Sequence, residues 1–225
     1  MATIVIVPGA SGGGWQWKEV RVALQAAGHE VSALTLTGLG ERSHLASPDI
    51  DLETHIQDIV NVLEYEDLRD VVLVGHSYGG MVLPAVADRA APRVARRIYL
   101  DALLPHDGEC TYDMFPPEVR AEEEEAARLR GEGWRIPPGA GADPRAVPMP
   151  LKPCQQPVRL TGTGDRTVPG VYVHCTAKTG WDFCAPLADR ARERGWPVYE
   201  LATGHSPLRA EADRTALVDL LLTLV

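Results

Sequence analysis

The sequence predicts an α/β fold, with a mainly parallel sheet of about six strands and helices on both faces. Short apolar segments rich in β-branched residues alternate with segments of helical periodicity from the N-terminus to Leu104. In residues 70–86, DVVLVGHSYGGMVLPAV, one such strand runs directly into a Gly-x-Ser-x-Gly turn and an apolar helix. A chain of 225 residues can bury a sizeable core, so we expect one domain over 1–225.

The first part of the chain supplies alternating strands and helices. Strands are predicted at Thr3–Val7, Glu30–Leu36, Val71–Val74 and Val94–Leu100. Helices are predicted at Trp15–Ala27, Leu52–Tyr65 and Met81–Ala90. The Gly-rich segment Pro8–Gly14 and the polar segment Thr37–Pro48 are expected to be loops. Because single helices separate these strands, the strands are expected to pair in parallel.

The alternation stops at Pro105 and resumes near Val171. Between these points Pro and Gly are frequent, and only Glu118–Arg130 has helical character. An insertion at this place lies above the strand ends, so 105–157 is predicted to form a small cap. The remaining strands are expected at Val171–Cys175 and Val198–Leu201, and the remaining helices at Asp182–Glu193 and Leu208–Val225.

Composition and charge exclude several classes of protein. The net charge of −9 argues against a nucleic-acid partner or an anionic membrane surface. The four cysteines contain no C-x-x-C spacing, so we expect free thiols rather than a metal site or a disulfide framework. The N-terminal MATIVIVPGA has no signal-peptide pattern, and no apolar segment approaches the ~20 residues of a membrane-spanning helix. We therefore expect a cytoplasmic protein, and the high Ala, Arg and Gly content is typical of bacteria with GC-rich genomes.

Ser77 is the predicted nucleophile, at the centre of GHSYG in residues 75–79. A tight strand-to-helix turn strains the backbone at its central residue, and a glycine two positions away on each side leaves room for the turn. The hydroxyl then projects above the sheet. The N-terminal N–H groups of the next helix point towards whatever the hydroxyl attacks.

A serine nucleophile needs a base, and in this arrangement the base follows the last strand. His205 lies in LATGHS, residues 201–206, after the last predicted strand and before the final helix. The other six histidines all precede that strand. His205 is therefore the predicted base.

The carboxylate that orients the base is not fixed by the residues alone. The chain order serine, acid, histidine places it between residues 77 and 205. Asp101 ends the fourth predicted strand, Asp182 follows the fifth, and Asp165 lies in the loop before the fifth. Each also suits a surface or helix N-cap position, and Asp182 has the features of a cap.

Two backbone N–H groups are expected to stabilise an oxyanion. One belongs to Tyr78, directly after the nucleophile, and the other to Ala10 in the loop after the first strand. This loop, GASGGG, also resembles a phosphate-binding loop. However, no acidic residue ends the second strand and no G-K-[ST] follows, so dinucleotide binding is not expected.

Several short motifs together resemble the α/β-hydrolase superfamily over nearly the whole chain. They are PGA at 8–10, GWQW at 14–17, GLG at 38–40, the turn at 75–80, YLDA at 99–102 and GH at 204–205. More narrowly, the chain resembles the small cofactor-free branch that contains plant methyl salicylate and methyl jasmonate esterases, hydroxynitrile lyases and bacterial salicylate esterase-like hydrolases. The resemblance implies Ser77 as nucleophile, His205 as base, the Ala10 and Tyr78 amides as oxyanion donors, and no cofactor or metal.

The chain departs from that branch in two places. The family usually has a histidine before the first glycine of the first loop, where this chain has Pro8. Plant members carry the acid shortly after the strand that resembles Val171–Cys175, where this chain has Ala177 and Lys178. Elsewhere in the superfamily, haloalkane dehalogenases among them, the acid follows the preceding strand. Asp101 occupies that position, so the resemblance favours Asp101 over Asp182.

The resemblance also favours one chemistry. Hydroxynitrile lyases carry a threonine in the first loop and a lysine after the catalytic histidine, where this chain has Ala10 and Ser206. Without that cation, departing cyanide is not stabilised. A serine nucleophile also disfavours epoxide hydrolases and dehalogenases, which use aspartate. We predict a carboxylic ester hydrolase that cleaves a small ester or lactone through an acyl-enzyme.

Two other functions stay open at this point. One is a non-hydrolytic cyclase or lyase step in secondary metabolism that uses the same residues. The other is a ligand-binding protein that has kept a hydrolase shell.

The substrate pocket is expected between the strand ends and the cap. Its predicted lining residues are Trp15, Leu103, Tyr112, Met114, Phe115 and Trp134. Each of them also suits the apolar core of the cap. A short cap with aromatic and Met residues favours small or aromatic esters. Dimers occur in the resembling family, so a homodimer is one possible assembly, and the residues alone do not fix the oligomeric state.

Overall fold

Eight strands and eight α-helices form the regular structure of the computed structural model, which describes residues 1–225. The strands are β1 (Thr3–Val7), β2 (Glu30–Ala33), β3 (Val71–His76), β4 (Val94–Leu100), β5 (Arg135–Ile136), β6 (Met149–Pro150), β7 (Gly170–Cys175) and β8 (Val198–Leu201). The helices are α1 (Lys18–Ala26), α2 (Leu52–Tyr65), α3 (Leu83–Arg89), α4 (Pro117–Arg130), α5 (Lys152–Gln155), α6 (Gly164–Thr167), α7 (Ala185–Glu193) and α8 (Glu211–Leu224). Short 3-10 helices lie at Gly14–Trp17, Gly40–Leu45, Ser77–Met81, Ala91–Arg93 and Thr111–Met114.

Six of the strands form one parallel sheet in the order β2-β1-β3-β4-β7-β8. Strand β1 pairs with β2 on one side and with β3 on the other. The order of the strands therefore changes direction after β2, because β3 pairs on the other side of β1. The loops after β1 and β3 then lie on either side of a crevice at the carboxyl edge of the sheet. These two loops carry Ala10 and Ser77. The predicted fold class, a parallel sheet of about six strands with helices on both faces, is confirmed.

The strands bury their side chains in two cores, one on each face of the sheet. In β1, Val5 and Val7 lie in the core shared with α2, α3 and α7, whereas Ile4 and Ile6 lie in the core shared with α1 and α8. This alternation is the period of two that an extended strand imposes. Full burial of one such aliphatic side chain stabilises the fold by about 1.5–3 kcal/mol, so the sheet anchors the loops at its carboxyl edge.

The predicted elements differ from the observed ones mainly at their ends. Strand β2 ends at Ala33 rather than at Leu36. The helices predicted to start at Trp15 and Met81 are preceded or opened by 3-10 turns, and their α-helical parts begin at Lys18 and Leu83. In a 3-10 turn each N–H bonds three residues back, so the sequence pattern resembles the first turn of an α-helix.

The segment between β4 and β7 contains α4, α5, α6 and an antiparallel pair formed by β5 and β6. The helix predicted at Glu118–Arg130 corresponds to α4, whereas the strand pair and the two short helices were not predicted. The backbone N–H of Val147 donates to the carbonyl of Ser11 at 3.1 Å, which joins this segment to the loop after β1. The cap over 105–157 and the single domain over 1–225 stay predictions.

Two structural facts bear on the expected location. All four cysteines are buried free thiols. No helix in the protein combines the length and the apolar character needed to cross a lipid bilayer. The cytoplasmic location itself stays a prediction.

Candidate active site

Ser77 lies at the turn from β3 into the 3-10 helix Ser77–Met81, with a φ of 53°. A non-glycine residue is strained in this left-handed conformation, so tight packing must hold it there. A Cβ on Gly79 would lie 2.4 Å from the carbonyl oxygen of Val7. Only glycine therefore allows the turn to contact the end of β1, which brings the loop after β1 beside Ser77.

His205 lies in the loop between β8 and α8, and its ring connects two functional groups. Its Nε2 is 3.0 Å from the Oγ of Ser77, and its Nδ1 is 2.6 Å from the Oδ2 of Asp101. When the Nδ1 proton is donated to the carboxylate, Nε2 is free to accept the proton of the serine hydroxyl. His76 Nε2 donates to the backbone carbonyl of His205 at 2.8 Å, and the Phe183 ring packs edge-on against the imidazole. These contacts fix the orientation of the ring.

Asp101 directly follows β4, and it is fully buried. Its Oδ1 accepts hydrogen bonds from the backbone N–H of Cys175 at 3.0 Å and from the ammonium group of Lys178 at 2.6 Å. Burial raises the pKa of the Asp101 carboxyl, but the hydrogen bonds from His205, Lys178 and Cys175 outweigh burial and bring the pKa below its ordinary value. The carboxylate therefore stays ionised and faces His205 with its second oxygen.

The other two candidate acids have different partners. Asp182 accepts the backbone N–H of Ala185 at 3.2 Å at the start of α7 and lies 3.0 Å from the Lys178 ammonium, but it makes no hydrogen bond to His205. Asp182 also bonds to Nε2 of His174 at 2.8 Å and accepts the backbone N–H of Cys184 at 3.0 Å, so it holds the turn before α7 rather than His205. Asp165 forms an ion pair with the fully buried Arg97. Asp101 is the carboxylate that the fold brings to His205.

The backbone N–H groups of Ala10 and Tyr78 donate to no acceptor within the protein. Both residues line the same cavity as Ser77. The side chain of Tyr78 is buried, and its hydroxyl donates to Nδ1 of His55 at 2.8 Å. Tyr78 can therefore offer its main-chain donor to a ligand while its ring is fixed in the core.

Two buried histidines beside the site are neutral. His55 Nε2 donates to the carbonyl of Thr37 at 3.0 Å, which leaves Nδ1 to accept from Tyr78. Burial lowers the pKa of His55 to about 4 and that of His76 to about 4. Both rings therefore act as fixed hydrogen-bonding groups at neutral pH.

A cavity of about 460 Å³ opens above Ser77, between the carboxyl edge of the sheet and the segment that follows β4. It contains Ser77, His205 and the two free amides. Its other lining residues are Ser11, Gln16, Leu103, Thr111, Phe115, Glu123, Ile136, Pro137, Pro138, Gly139, Ala140, Ala142, Asp143, Ala146, Met149, Cys154, Phe183 and Arg209. A second depression, of about 630 Å³, lies beside Arg194. Neither Ser77 nor His205 lines it.

Two of the six predicted lining residues, Leu103 and Phe115, line this cavity. The structure places Trp15, Tyr112, Met114 and Trp134 outside its wall. Each of the two tryptophans instead stacks against an arginine. The Arg145 guanidinium lies 3.9 Å from the ring centroid of Trp15, and the Arg135 guanidinium lies 4.8 Å from that of Trp134.

Tyr112 and Met114 are absent from the wall because they pack into the core behind it. Tyr112 is buried, and its hydroxyl donates to Oε2 of Glu123 at 2.8 Å. Tyr112 thus supports a lining residue without touching the cavity itself.

Sequence reasoning missed several residues of the site. Phe183, Thr111 and Glu123 line the cavity, and Lys178 holds the buried carboxylate. The resemblance offered a signal for Lys178, since it led us to expect an acid near that position and the chain has a lysine there. No comparable signal pointed to Thr111 and Glu123, because they lie on two separate helices, Thr111–Met114 and α4, whose packing the sequence does not show.

The strand-to-helix turn with a serine at its centre, on this sheet, defines a class of enzyme fold, the α/β hydrolases. The profile of the alpha/beta hydrolase family matches residues 4–219, and the chain belongs to this family. The carbendazim hydrolyzing esterase of Nocardioides sp. (strain SG-4G) is 38% identical over 229 residues, which cover 91% of this chain and 93% of that protein.

A further relative is a plant methylesterase, and a solved structure shares the fold. Methylesterase 2 of Arabidopsis thaliana is 30% identical over 58% of this chain, and the match spans 48% of the plant protein. The solved structure of an extracellular α/β-hydrolase from a Paenibacillus species has a TM-score of 0.83 at 22% identity, with 98% of each chain covered. The predicted resemblance and the predicted class, an ester-cleaving hydrolase, are confirmed.

Proposed function

We propose that this protein is a serine esterase that hydrolyses small carboxylic esters through an acyl-enzyme on Ser77. The observation that most supports this proposal is the chain of hydrogen bonds from Ser77 Oγ through His205 to the buried carboxylate of Asp101, at 3.0 and 2.6 Å. A hydroxyl, an imidazole and a carboxylate in this order activate a nucleophile that is weak at its free pKa.

Acylation uses these groups in sequence. Ser77 Oγ attacks the ester carbonyl as His205 Nε2 takes the hydroxyl proton. The carbonyl oxygen becomes an oxyanion, which the Ala10 and Tyr78 amides stabilise. His205 then donates the proton to the alcohol oxygen as the carbon–oxygen bond breaks, and the acyl group remains on Ser77.

Deacylation repeats the steps with water. His205 removes a proton from water, the hydroxide attacks the acyl carbonyl, and the proton passes to Ser77 Oγ as the free acid leaves. Throughout, Asp101 holds the imidazole in one tautomer and stabilises its protonated form. The Asp101 carboxylate itself stays ionised.

The substrate class follows from the size of the cavity and from the relatives. A cavity of about 460 Å³ suits a small or aromatic ester. Because a relative that aligns over nearly the whole chain is a carbendazim hydrolyzing esterase, we include carbendazim among the candidate substrates. The cytoplasmic location and the homodimer also belong to this proposal, and light scattering of the purified protein tests the dimer.

The test is hydrolysis of p-nitrophenyl esters from acetate to octanoate, methyl salicylate and carbendazim by wild type and by Ser77→Ala. We expect turnover by wild type and none by Ser77→Ala, with the acyl adduct on the Ser77 peptide detected by mass spectrometry after rapid quenching. Turnover that survives in Ser77→Ala, or adduct on another residue, would contradict the mechanism. Absence of any wild-type turnover would contradict the function.

A further inference from the structure

The Thr111 hydroxyl is an unsatisfied polar group in the cavity wall. Thr111 is 5% exposed, and its Oγ1 is buried with no hydrogen-bond partner in the protein. It lies beside the Cys154 thiol without the geometry of a hydrogen bond. Leaving such a group unbonded costs about 1–3 kcal/mol, and rotation of the Thr111 side chain towards the cavity would let a ligand there supply the missing bond.

Glu123 lines the same cavity and has bonding capacity to spare. Its Oε2 accepts the Tyr112 hydroxyl at 2.8 Å, while its Oε1 accepts nothing from the protein. No lysine or arginine forms an ion pair with it, whereas its neighbour Glu124 pairs with Arg120. Burial raises the pKa of the Glu123 carboxyl, and the Tyr112 hydrogen bond partly offsets this rise.

The surroundings set these two groups apart. The nearby wall is apolar and includes Leu103, Phe115, Ile136 and Met149. The other charged side chains that line the cavity already have partners, since Asp143 pairs with Arg145 and Arg209 donates to the carbonyl of Gly141. On the apolar side of the cavity, Thr111 and Glu123 are therefore the polar side chains with unused hydrogen-bonding capacity, whereas Ser11 and Gln16 lie on the loop after β1 and the 3-10 helix that follows it.

We propose that Thr111 and Glu123 form a polar subsite that selects esters with an N–H or O–H donor on the group lying against the wall of the cavity. The free Oε1 of Glu123 accepts the donor hydrogen, and the Thr111 hydroxyl bonds to the same group or to an adjacent acceptor. This subsite rests on the proposed function, because it assigns a substrate class to the site that contains Ser77.

Matched esters test the subsite. The probes are methyl 3-aminobenzoate against methyl 3-(dimethylamino)benzoate, and 3-aminophenyl acetate against 3-(dimethylamino)phenyl acetate. Within each pair the ring electronics are similar, and only one member offers N–H. We expect wild type to favour the N–H member of at least one pair in kcat/KM by about tenfold, the scale of one hydrogen bond to a charged group.

Variants of the two residues show whether the preference for the N–H ester comes from hydrogen bonding or from the smaller size of the amino group. Glu123→Gln and Thr111→Val are expected to reduce that preference to about twofold or less, while Glu122→Gln, an exposed neighbour on α4, keeps it in full. Because the Thr111 hydroxyl has no partner, Thr111→Val is also expected to keep or raise Tm, which shows that the variant folds. A preference that persists in both subsite variants is a steric effect and overturns the subsite.

Binding separates failure of the subsite from failure of the proposed function. The same esters are titrated calorimetrically into Ser77→Ala and into Ser77→Ala with Glu123→Gln. Selective binding of the N–H esters that is lost with Glu123→Gln supports the subsite, even if wild type hydrolyses no ester. Hydrolysis of p-nitrophenyl acetate without any N–H preference in rate or binding overturns the subsite and leaves the esterase in place.

Discussion

The ammonium group of Lys178 lies 2.6 Å from Oδ1 of Asp101, while the other carboxylate oxygen bonds to His205. Both side chains are shielded from solvent, with 8% of Lys178 and none of Asp101 exposed. Asp101 directly follows β4, and Lys178, which follows β7, neutralises its carboxylate and fixes its orientation.

Replacing Lys178 with methionine is expected to move the acid limb of the pH–rate profile to higher pH by about one unit. Removal of the nearby cation makes protonation of the Asp101–His205 pair easier, and a charge at this distance shifts a pKa by about 1–3 units. The measurement is kcat/KM for p-nitrophenyl acetate from pH 5 to 9. Lys178→Arg, which keeps the charge, serves as control, and an unchanged acid limb in Lys178→Met would show that the contact has no role in the reaction.

Tyr78→Phe is expected to lower stability more than activity. The variant removes the hydroxyl that donates to His55 at 2.8 Å and leaves the buried Nδ1 without a partner, at a cost of about 1–3 kcal/mol in the free energy of unfolding. The backbone N–H assigned to the oxyanion is unchanged, so kcat should fall by less than about tenfold. Urea denaturation and steady-state kinetics on the same preparation check both values. A large loss of kcat at unchanged stability would mean that the hydroxyl itself contacts the substrate.

Stability is expected to fall as the pH drops from 6.5 towards 4. His55 and His76 have an ordinary pKa of 6.5, and burial lowers both to about 4 in the folded protein. In this window the unfolded chain binds protons that the folded chain does not, so each histidine removes roughly 1.4 kcal/mol of unfolding free energy per pH unit. Above pH 6.5 neither histidine makes the unfolding free energy depend on pH.

The check is the urea-unfolding free energy at pH 7.5, 6.5, 5.5 and 4.5. In His55→Gln the unfolding free energy should change less steeply with pH between 6.5 and 4.5, by roughly 1.4 kcal/mol per pH unit, because one titrating histidine is gone. A free energy that is constant or rises as the pH falls through this window contradicts the neutral state of the buried histidines.

The sheet and the nucleophile could be predicted because their signals are local. Val71–Val74 is apolar at every position, and the glycines around Ser77 are required by the turn itself. The position of His205 followed from chain order alone. The first and last residues of the helices and strands could be predicted less closely, because a residue such as Asp182 can either precede a helix or begin it.

The wall of the cavity could not be predicted in the same way. An aromatic residue in an irregular segment packs inwards or outwards according to its neighbours, and Arg145 covers Trp15 from a position far along the chain. Thr111 and Glu123 line one cavity only because the 3-10 helix Thr111–Met114 and α4 fold towards the same space. Composition shows that such residues exist, but only the tertiary structure shows which of them face Ser77.

The measurement that tests the central claim most directly is kcat/KM of Asp101→Asn beside Asp182→Asn, with p-nitrophenyl acetate as substrate. Both variants replace a carboxylate that bonds to Lys178, so they share that loss. Asp101 also orients His205, and its variant is expected to lose about 10³- to 10⁴-fold, the scale of an acid removed from such a triad. Asp182→Asn is expected to lose less than about tenfold. A large loss in Asp182→Asn with near-normal rates in Asp101→Asn would contradict the assignment of the acid to the end of β4.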